Sequence, residues 1–493
     1  MKYYIGADLG TSALKLLLVD SNGKIHKKLT KEYSVNYPHP GWSEQSAEEW
    51  WKVFLQAVPE LIADVNSNDI KAIGIAGQMH GLVILDENDE VIRPVILWND
   101  SRTEKETEYL NCSIGKDKLT SFTANIAFAG FTAPKILWLK ENEPDSFKKI
   151  KKIMLPKDYL NYMLTGVHSC DFSDASGMLL LDVKNKKWSK EMLDICQIKE
   201  EQMPLLFESY EIIGKIKKDI SEKLNLSADT VVIAGAGDNA AAAIGTGTTG
   251  NEKCNISLGT SGTVFISSQS FSVDDNNSLH AFAHADGGYH LMGCMLSAAS
   301  CHKWICKSVF KQEDYTLLEK EIPEDYLGKN ELFFLPYLMG ERSPLNDTNA
   351  TGVFIGLRPD TERWQMLLAV FEGVSFAIRD NVEIARKLGL NIQESTLCGG
   401  GAKSKLWRKV LSNVLGIRLN IPLSEEGPGY GVALLAIAGT QKNDDIKNGL
   451  QEFVKITESI EPEKNLTSLY EDKYNKFKKI YPSIKKLYKE LKE

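Results

Sequence analysis

Asp8 and Asp238 are the residues around which chemistry in this chain can be organised. Asp8 stands in a glycine-rich corner, Gly6-Ala7-Asp8-Leu9-Gly10, with Thr11 and Ser12 next. Asp238 follows the apolar run Thr230 to Ala234 and the turn Gly235-Ala236-Gly237, and Asn239 comes after it. Transfer of a phosphoryl group needs a positioned acceptor hydroxyl, a carboxylate to take its proton, and a metal ion to offset the charge on the phosphates. Two separated aspartates supply both carboxylate roles. An aspartate after a strand is also a common helix N-cap, and Asp238 ahead of Asn239 and a run of alanines suits that role as well.

Three glycine-rich corners accompany these carboxylates: Asp8 to Ser12, Gly259 to Gly262, and the triplet Gly399-Gly400-Gly401. Each alone reads as an ordinary tight turn. Together they carry a further meaning, because glycine removes the side chain that would block a phosphate and successive backbone N–H groups form a concave anion site. Two facing corners can hold a triphosphate, and the triplet lets a flat base lie against the backbone. His80, after Gln78-Met79, and the group Trp98-Asn99-Asp100 offer hydrogen-bonding partners and a ring for a sugar, beside the plainer reading that they pack and turn the chain.

The elements that must position these groups are legible in outline. The extended segment to Leu9, the apolar run Leu14 to Val19 and the stretch after Ser21-Asn22-Gly23-Lys24 predict three consecutive strands joined by tight turns. A dinucleotide fold would send the first strand into a helix; here the chain returns as a strand, so the first corner is a hairpin. Ser46 to Val65 has helical periodicity, Ile70 to Ala76 and Leu82 to Leu85 read as strands, and Ala133 to Glu141 as a helix. After Asp238 the pattern restarts, with a strand from Asn255 to Leu258, a corner at Gly259-Thr260-Ser261-Gly262 and a returning strand to Ile266. Leu-Gly-Thr-Ser occurs in both corners, which suggests a duplicated architecture with a boundary near residue 245. A helix to about Leu415 follows the glycine triplet, and a Lys-rich helical tail begins near Leu466.

Other patterns carry less. Gly245-Thr246-Gly247-Thr248-Thr249-Gly250 matches the dinucleotide fingerprint in letters but follows a helical run and leads into a strand, the wrong context. No Gly-Lys pair is followed by Ser or Thr, so a P-loop is excluded. His280 and His284 are four apart without a third evident metal ligand, and packing is the better reading.

The 493 residues exceed what one hydrophobic core holds, so two domains are expected. With 43% hydrophobic and 25% charged residues the composition is that of a globular protein, and the net charge of −8 is dispersed, which argues against nucleic acid or an anionic membrane as partner. The N-terminus lacks the apolar core of a secretory signal, and no apolar run reaches the roughly 18 to 20 residues that cross a bilayer. A cytoplasmic location is expected. The eight cysteines are scattered without a CxxC pair and read as reduced thiols.

With these residues in hand the sequence resembles the FGGY family of carbohydrate kinases over nearly its whole length. Gly130-Phe131-Thr132-Ala133-Pro134-Lys135-Ile136-Leu137-Trp138 resembles the first family signature, and the stretch from Gly352 to Glu372 the second. Trp42-Ser43-Glu44-Gln45, Gly77 to Gly81, Ile96 to Asp100, Leu155 to Tyr159 and Gly237 to Ala241 resemble the branch that acts on D-xylulose; Met79-His80 stands where glycerol-specific members carry Arg-Glu. The resemblance implies two ribonuclease H-like, actin-like ATPase domains of α/β class, residues 1–245 for the sugar and 246–493 for the nucleotide, with a catalytic cleft between them. It implies ATP and Mg2+, with Asp238 as general base and Asp8 as the carboxylate that organises the metal. Met79, His80, Asn239 and Trp98 are expected at the sugar, and Thr11, Thr260, Gly262, Gly400, Gly401 and Ser404 at the nucleotide. The chain departs from the animal members in having Ala129-Gly130 where those place an arginine, and the turn Gly427-Pro428-Gly429-Tyr430-Gly431 is looser than the family pattern and receives no role. A homodimer is common in the family, without an interface legible here. The alternatives are another ketose or polyol such as D-ribulose, and, outside kinases, an actin-like ATPase or a sugar sensor on the same fold.

Overall fold

In the computed structural model, which describes residues 1–424, 426–441 and 446–491, the opening of the chain forms three antiparallel strands, β1 (Tyr3–Leu9), β2 (Ala13–Asp20) and β3 (Ile25–Glu32). Strand β3 alternates partly buried and exposed residues, as an edge strand with one wet face does, whereas β2 is buried without interruption from Leu16 to Asp20. Helix α1 (Ala47–Leu61) begins where Ser46 accepts the N–H of Glu49, and it buries Trp50, Phe54 and Leu61 against this sheet. Strand β4 (Ile70–Gly77) then pairs parallel with β1. Helices α2 (Thr132–Asn142) and α3 (Pro156–Thr165) belong to the long insertion that follows. Strands β5 (Ile212–Lys215), β6 (Val231–Ile233) and the two-residue β7 (Ala236–Gly237) complete the first sheet, in the order β5-β6-β4-β1-β2-β3 with β7 paired to the end of β4.

Helix α4 (Asp238–Gly245) leads to the second sheet, built from β8 (Cys254–Leu258), β9 (Gly262–Ser268), β10 (His280–Ala283) and β11 (Tyr289–Met295). The long helix α5 (Arg363–Lys387), β12 (Glu394–Cys398), α6 (Lys405–Leu415) and β13 (Arg418–Pro422) follow. Helix α7 (Gly427–Gln441), β14 (Ile456–Ile460), α8 (Lys464–Phe477) and α9 (Ile480–Glu490) close the chain; residues 492 and 493 of the expected tail lie outside the described residues. The sheet order is β10-β11-β9-β8-β12-β13-β14. Strands β3-β2-β1-β4-β6 of the first sheet and β11-β9-β8-β12-β13 of the second share the same order and the same parallel and antiparallel pairings. The duplication suggested by the two Leu-Gly-Thr-Ser corners is therefore a duplication of whole sheets.

One connection was not legible in the sequence. Helix α7, from the second half, packs on β1 and β4 of the first sheet and crosses α4. Its residues from Gly429 to Ala438 are buried without interruption, so it has no polar face, as expected of a helix enclosed on all sides. Among the described residues no helix is long and apolar enough to cross a membrane.

Candidate active site

The ends of β1, β7, β8 and β12 carry the residues that sequence reasoning singled out. Asp8 and Asp238 are both half-buried, and each carboxyl is pushed above the usual carboxylate range. Asp8 rises to about 7, first by burial and then by the negative charge of Asp238, with Lys15 opposing. Asp238 rises to about 6 by burial, against the hydrogen bonds of Asn239. Two recessed carboxylates within electrostatic reach of each other resist ionising together. A divalent cation would relieve that repulsion, so the donor set fits Mg2+.

Asp238 is the first residue of α4, the cap position falling to Gly237. Its Oδ1 accepts the backbone N–H of Asn239 at 2.7 Å and the side-chain amide of the same residue at 2.9 Å. Oδ2 has no hydrogen-bond partner among the described residues, which leaves it able to receive a proton. Beside it, Met79 lies against Gly237 and Gly177, its Sδ 3.1 Å from where a β-carbon on Gly237 would stand.

His80 has a left-handed backbone, φ 71°, an arrangement that costs a non-glycine residue on the order of 1–3 kcal/mol. The cost is offset by bonds that fix it: its carbonyl accepts from the buried ammonium of Lys135 at 2.8 Å and from the Thr132 hydroxyl at 3.1 Å. Nδ1 lies 2.7 Å from the carbonyl oxygen of Gly177. A carbonyl only accepts, so Nδ1 carries the proton and Nε2 presents a lone pair. Burial, and then the charge of Lys135, holds the ring well below its ordinary pKa and neutral. Phe131 stacks on it with centroids 4.6 Å apart.

At the first corner the Thr11 hydroxyl accepts from the Trp98 indole at 2.9 Å and donates to Gln78 at 3.0 Å. Its side chain is thereby committed, and what the corner offers a phosphate is backbone. Trp98 is held at the corner and is 45% exposed, while Asp100 is buried in an ion pair with Arg102 and belongs to the framework. At the second corner a cavity of about 1360 Å³ is lined by Thr260, His302, Glu319, Gly400, Gly401 and Ser404. Gly399 there has φ 91°, and a β-carbon on it would stand 2.6 Å from the carbonyl carbon of Leu258, so the triplet fits only with glycine at its head. A β-carbon on Gly400 would meet nothing within 4 Å, which marks it as facing the open cavity. Ser404 caps α6, accepting from Trp407 N–H at 3.1 Å, and donates to Glu319 at 2.8 Å. Gly262 lies outside this lining; its α-carbon backs onto Ala298 and Met295. The size and the bare glycine floor of the cavity fit a nucleotide.

Two family models cover the chain: the N-terminal domain of the FGGY carbohydrate kinases matches residues 3–245 and the C-terminal domain matches 254–440. The chain belongs to the FGGY family of carbohydrate kinases. Xylulose kinase of Escherichia coli K12 is 38% identical over 484 residues, spanning 98% of this chain and 99% of the relative. A crystal structure described as a xyloylose kinase from Brucella ovis superposes with a TM-score of 0.93 at 38% identity, covering 98% of this chain and 100% of the other. A gluconate kinase from Lactobacillus acidophilus superposes with a TM-score of 0.94 at 26% identity, covering 99% of each. This FGGY kinase is thus an ATP-dependent sugar kinase with the actin-like ATPase fold.

Sequence reasoning about this FGGY kinase missed several groups. Lys135 was visible only as a letter in the first signature, and a fully buried lysine bonded to carbonyl oxygens has no sequence mark. Arg342, from the second half, places its guanidinium 5.2 Å from the Phe128 ring, within electrostatic reach of His80 and His280. No ion pair joins it to a carboxylate among the described residues. The turn left without a role, Gly427 to Gly431, opens α7 and lets it approach α4: a β-carbon on Gly431 would stand 1.8 Å from the carbonyl oxygen of Ala241.

Proposed function

We propose that this kinase phosphorylates D-xylulose at its terminal hydroxyl, giving D-xylulose 5-phosphate and ADP, with residues 1–245 binding the sugar and 246–493 the nucleotide in the cytoplasm. The observation that carries the reading is the group Met79, His80, Asp238 and Asn239: a neutral imidazole lone pair, a carboxylate with one free oxygen and an amide meet in a recess. The names of the full-length relatives support the choice of ketose.

In this reading the Nε2 of His80 accepts a hydrogen bond from one sugar hydroxyl, and Asn239 and the Met79 segment set the orientation. Oδ2 of Asp238 takes the proton of the terminal hydroxyl as that oxygen forms its bond to the γ-phosphorus and the bond to the ADP oxygen breaks. Backbone N–H groups of the corners at Thr11 and Thr260 meet the phosphates, and Gly400, Gly401 and Ser404 border the base. Asp8 would organise Mg2+, which when bound offsets charge on the phosphates. Closing the two halves keeps water from the γ-phosphate.

The test is ADP release with ATP and magnesium across D-xylulose, D-ribulose, gluconate, glycerol and a no-sugar control, in the natural protein and in Asp238→Ala. D-xylulose is expected to stimulate most, and Asp238→Ala to lose about 10²- to 10⁴-fold in kcat while still binding sugar. Stimulation by another sugar alone would move the substrate, and normal turnover in Asp238→Ala would remove the base.

A further inference from the structure

Behind the sugar recess lies a cluster of charged side chains that the transfer step does not touch. The ammonium of Lys157, in the first turn of α3, is 2.6 Å from Asp158, 2.8 Å from Asp171 and 3.6 Å from Asp174, and all these side chains are at 0% exposure. Charges this deep are costly unless each is paired and hydrogen-bonded. Neither oxygen of Asp174 has a hydrogen-bond partner, and burial pushes its carboxyl well above the usual range, so Asp174 is held neutral. Lys157 is balanced by the carboxylates of Asp158 and Asp171.

The cluster continues into the backbone that carries the site. Oδ2 of Asp171 accepts the N–H of Ser173 at 2.9 Å and its hydroxyl at 2.5 Å. Because that hydroxyl proton points at Asp171, the lone pairs of Ser173 Oγ are turned outward, and one accepts the N–H of Gly237 at 3.1 Å. Gly237 is the residue before Asp238, and in the sheet it pairs with Gly77, two residues before Met79. Lys157 bears on Gly77 as well: a β-carbon there would stand 2.8 Å from the β-carbon of Lys157. The cluster therefore holds, from one side, both strand ends from which the site residues project.

We propose that Lys157, Asp171 and Ser173 are positioning residues for phosphoryl transfer, a buried relay that fixes the backbone at Gly237 so that Asp238 stays in register with Met79 and His80. The inference rests on the reading of Asp238 as the base. Misplacing a reacting group by about 1 Å can cost on the order of 10²-fold in rate. A relay that sets position therefore shows in kcat. The cluster serving stability alone would show in melting temperature and leave kcat intact.

The experiment compares Ser173→Ala, Ser173→Thr, Asp238→Asn and Thr230→Ala in the full chain, each with its melting temperature. Thr230 is an equally buried hydroxyl on the same segment, donating to the Ile70 carbonyl at 3.1 Å, but at the end of the sheet remote from Asp238. Ser173→Ala is expected to lower kcat about 10- to 100-fold with KM for sugar and nucleotide little changed, and Ser173→Thr to restore most of it. Thr230→Ala is expected to lower melting temperature with kcat near that of the natural protein. Wild-type kcat in Ser173→Ala, or an equal kcat loss in Thr230→Ala, would overturn the relay. Normal turnover in Asp238→Asn would instead remove the base, and the relay with it.

Discussion

Asp238 is recessed enough for burial to push its carboxyl up to about 6, and the donors on Asn239 keep it from going higher. A general base works deprotonated, so kcat/KM is expected to fall as pH drops through about 6, approaching tenfold per unit below it. A profile flat to pH 5 would contradict the assignment. Asp8 gives a stability prediction of the opposite kind. Its folded-state pKa is raised to about 7, well above the ordinary carboxylate range, so it favours the fold only while protonated, and that contribution is lost as pH rises through about 7. Asp8→Asn should therefore raise the melting temperature of the ligand-free protein at pH 8 and lose that advantage below about pH 4, where both forms are neutral. Thermal scans at the two pH values decide it. The aspartates themselves were readable from their glycine-rich surroundings. Their mutual repulsion was not, because it acts through space between residues on different strands.

Among the elements, α7 departs most from what its sequence conveys. The run Gly427 to Gly431 reads as a loose turn, yet it begins a helix whose glycines set the distance to the first sheet and to α4. A β-carbon at 431 would overlap the Ala241 carbonyl of α4, and one at Gly6 of β1 would overlap the carbonyl of Gly429 on α7. Gly431→Ala is expected to force α4 and α7 apart and to destabilise by about 1–3 kcal/mol, measurable by denaturant titration. A helix buried all round gives a hydrophobic run without a period, so the sequence shows that it is enclosed and not by what. Strand β3 and helix α1 were legible because each keeps one wet face, and α1 begins at the Ser46 expected to start it; β1 and β2, covered on both faces, were marked by their apolar runs and the glycine-rich corner between them.

In the whole molecule, the family model for the first half ends at residue 245, but the sheet of that half is finished by α7 from beyond it. Tyr4, Leu17, Ile233 and Ala240 share one apolar cluster with Tyr430, Val432, Leu434 and Leu435. A fragment of residues 1–245 would leave that face in water. It is expected to lack cooperative unfolding and to bind a hydrophobic dye, and supplying residues 427–441 as part of the chain should restore folding; near-ultraviolet circular dichroism would show either result.

The sequence by itself determined what depends on neighbours along the chain: the hairpin corners, the repeated strand pattern, the two aspartates and the glycine triplet. Each is set by local backbone geometry and by hydrophobic alternation over a few residues. Only the tertiary structure decided which oxygen of Asp238 is free, which nitrogen of His80 carries the proton, and that Lys157 reaches Gly237 through Asp171 and Ser173. Those facts rest on hydrogen bonds and buried charges between residues far apart in the chain, whose energies depend on distance and burial in space, and spacing along the sequence encodes neither.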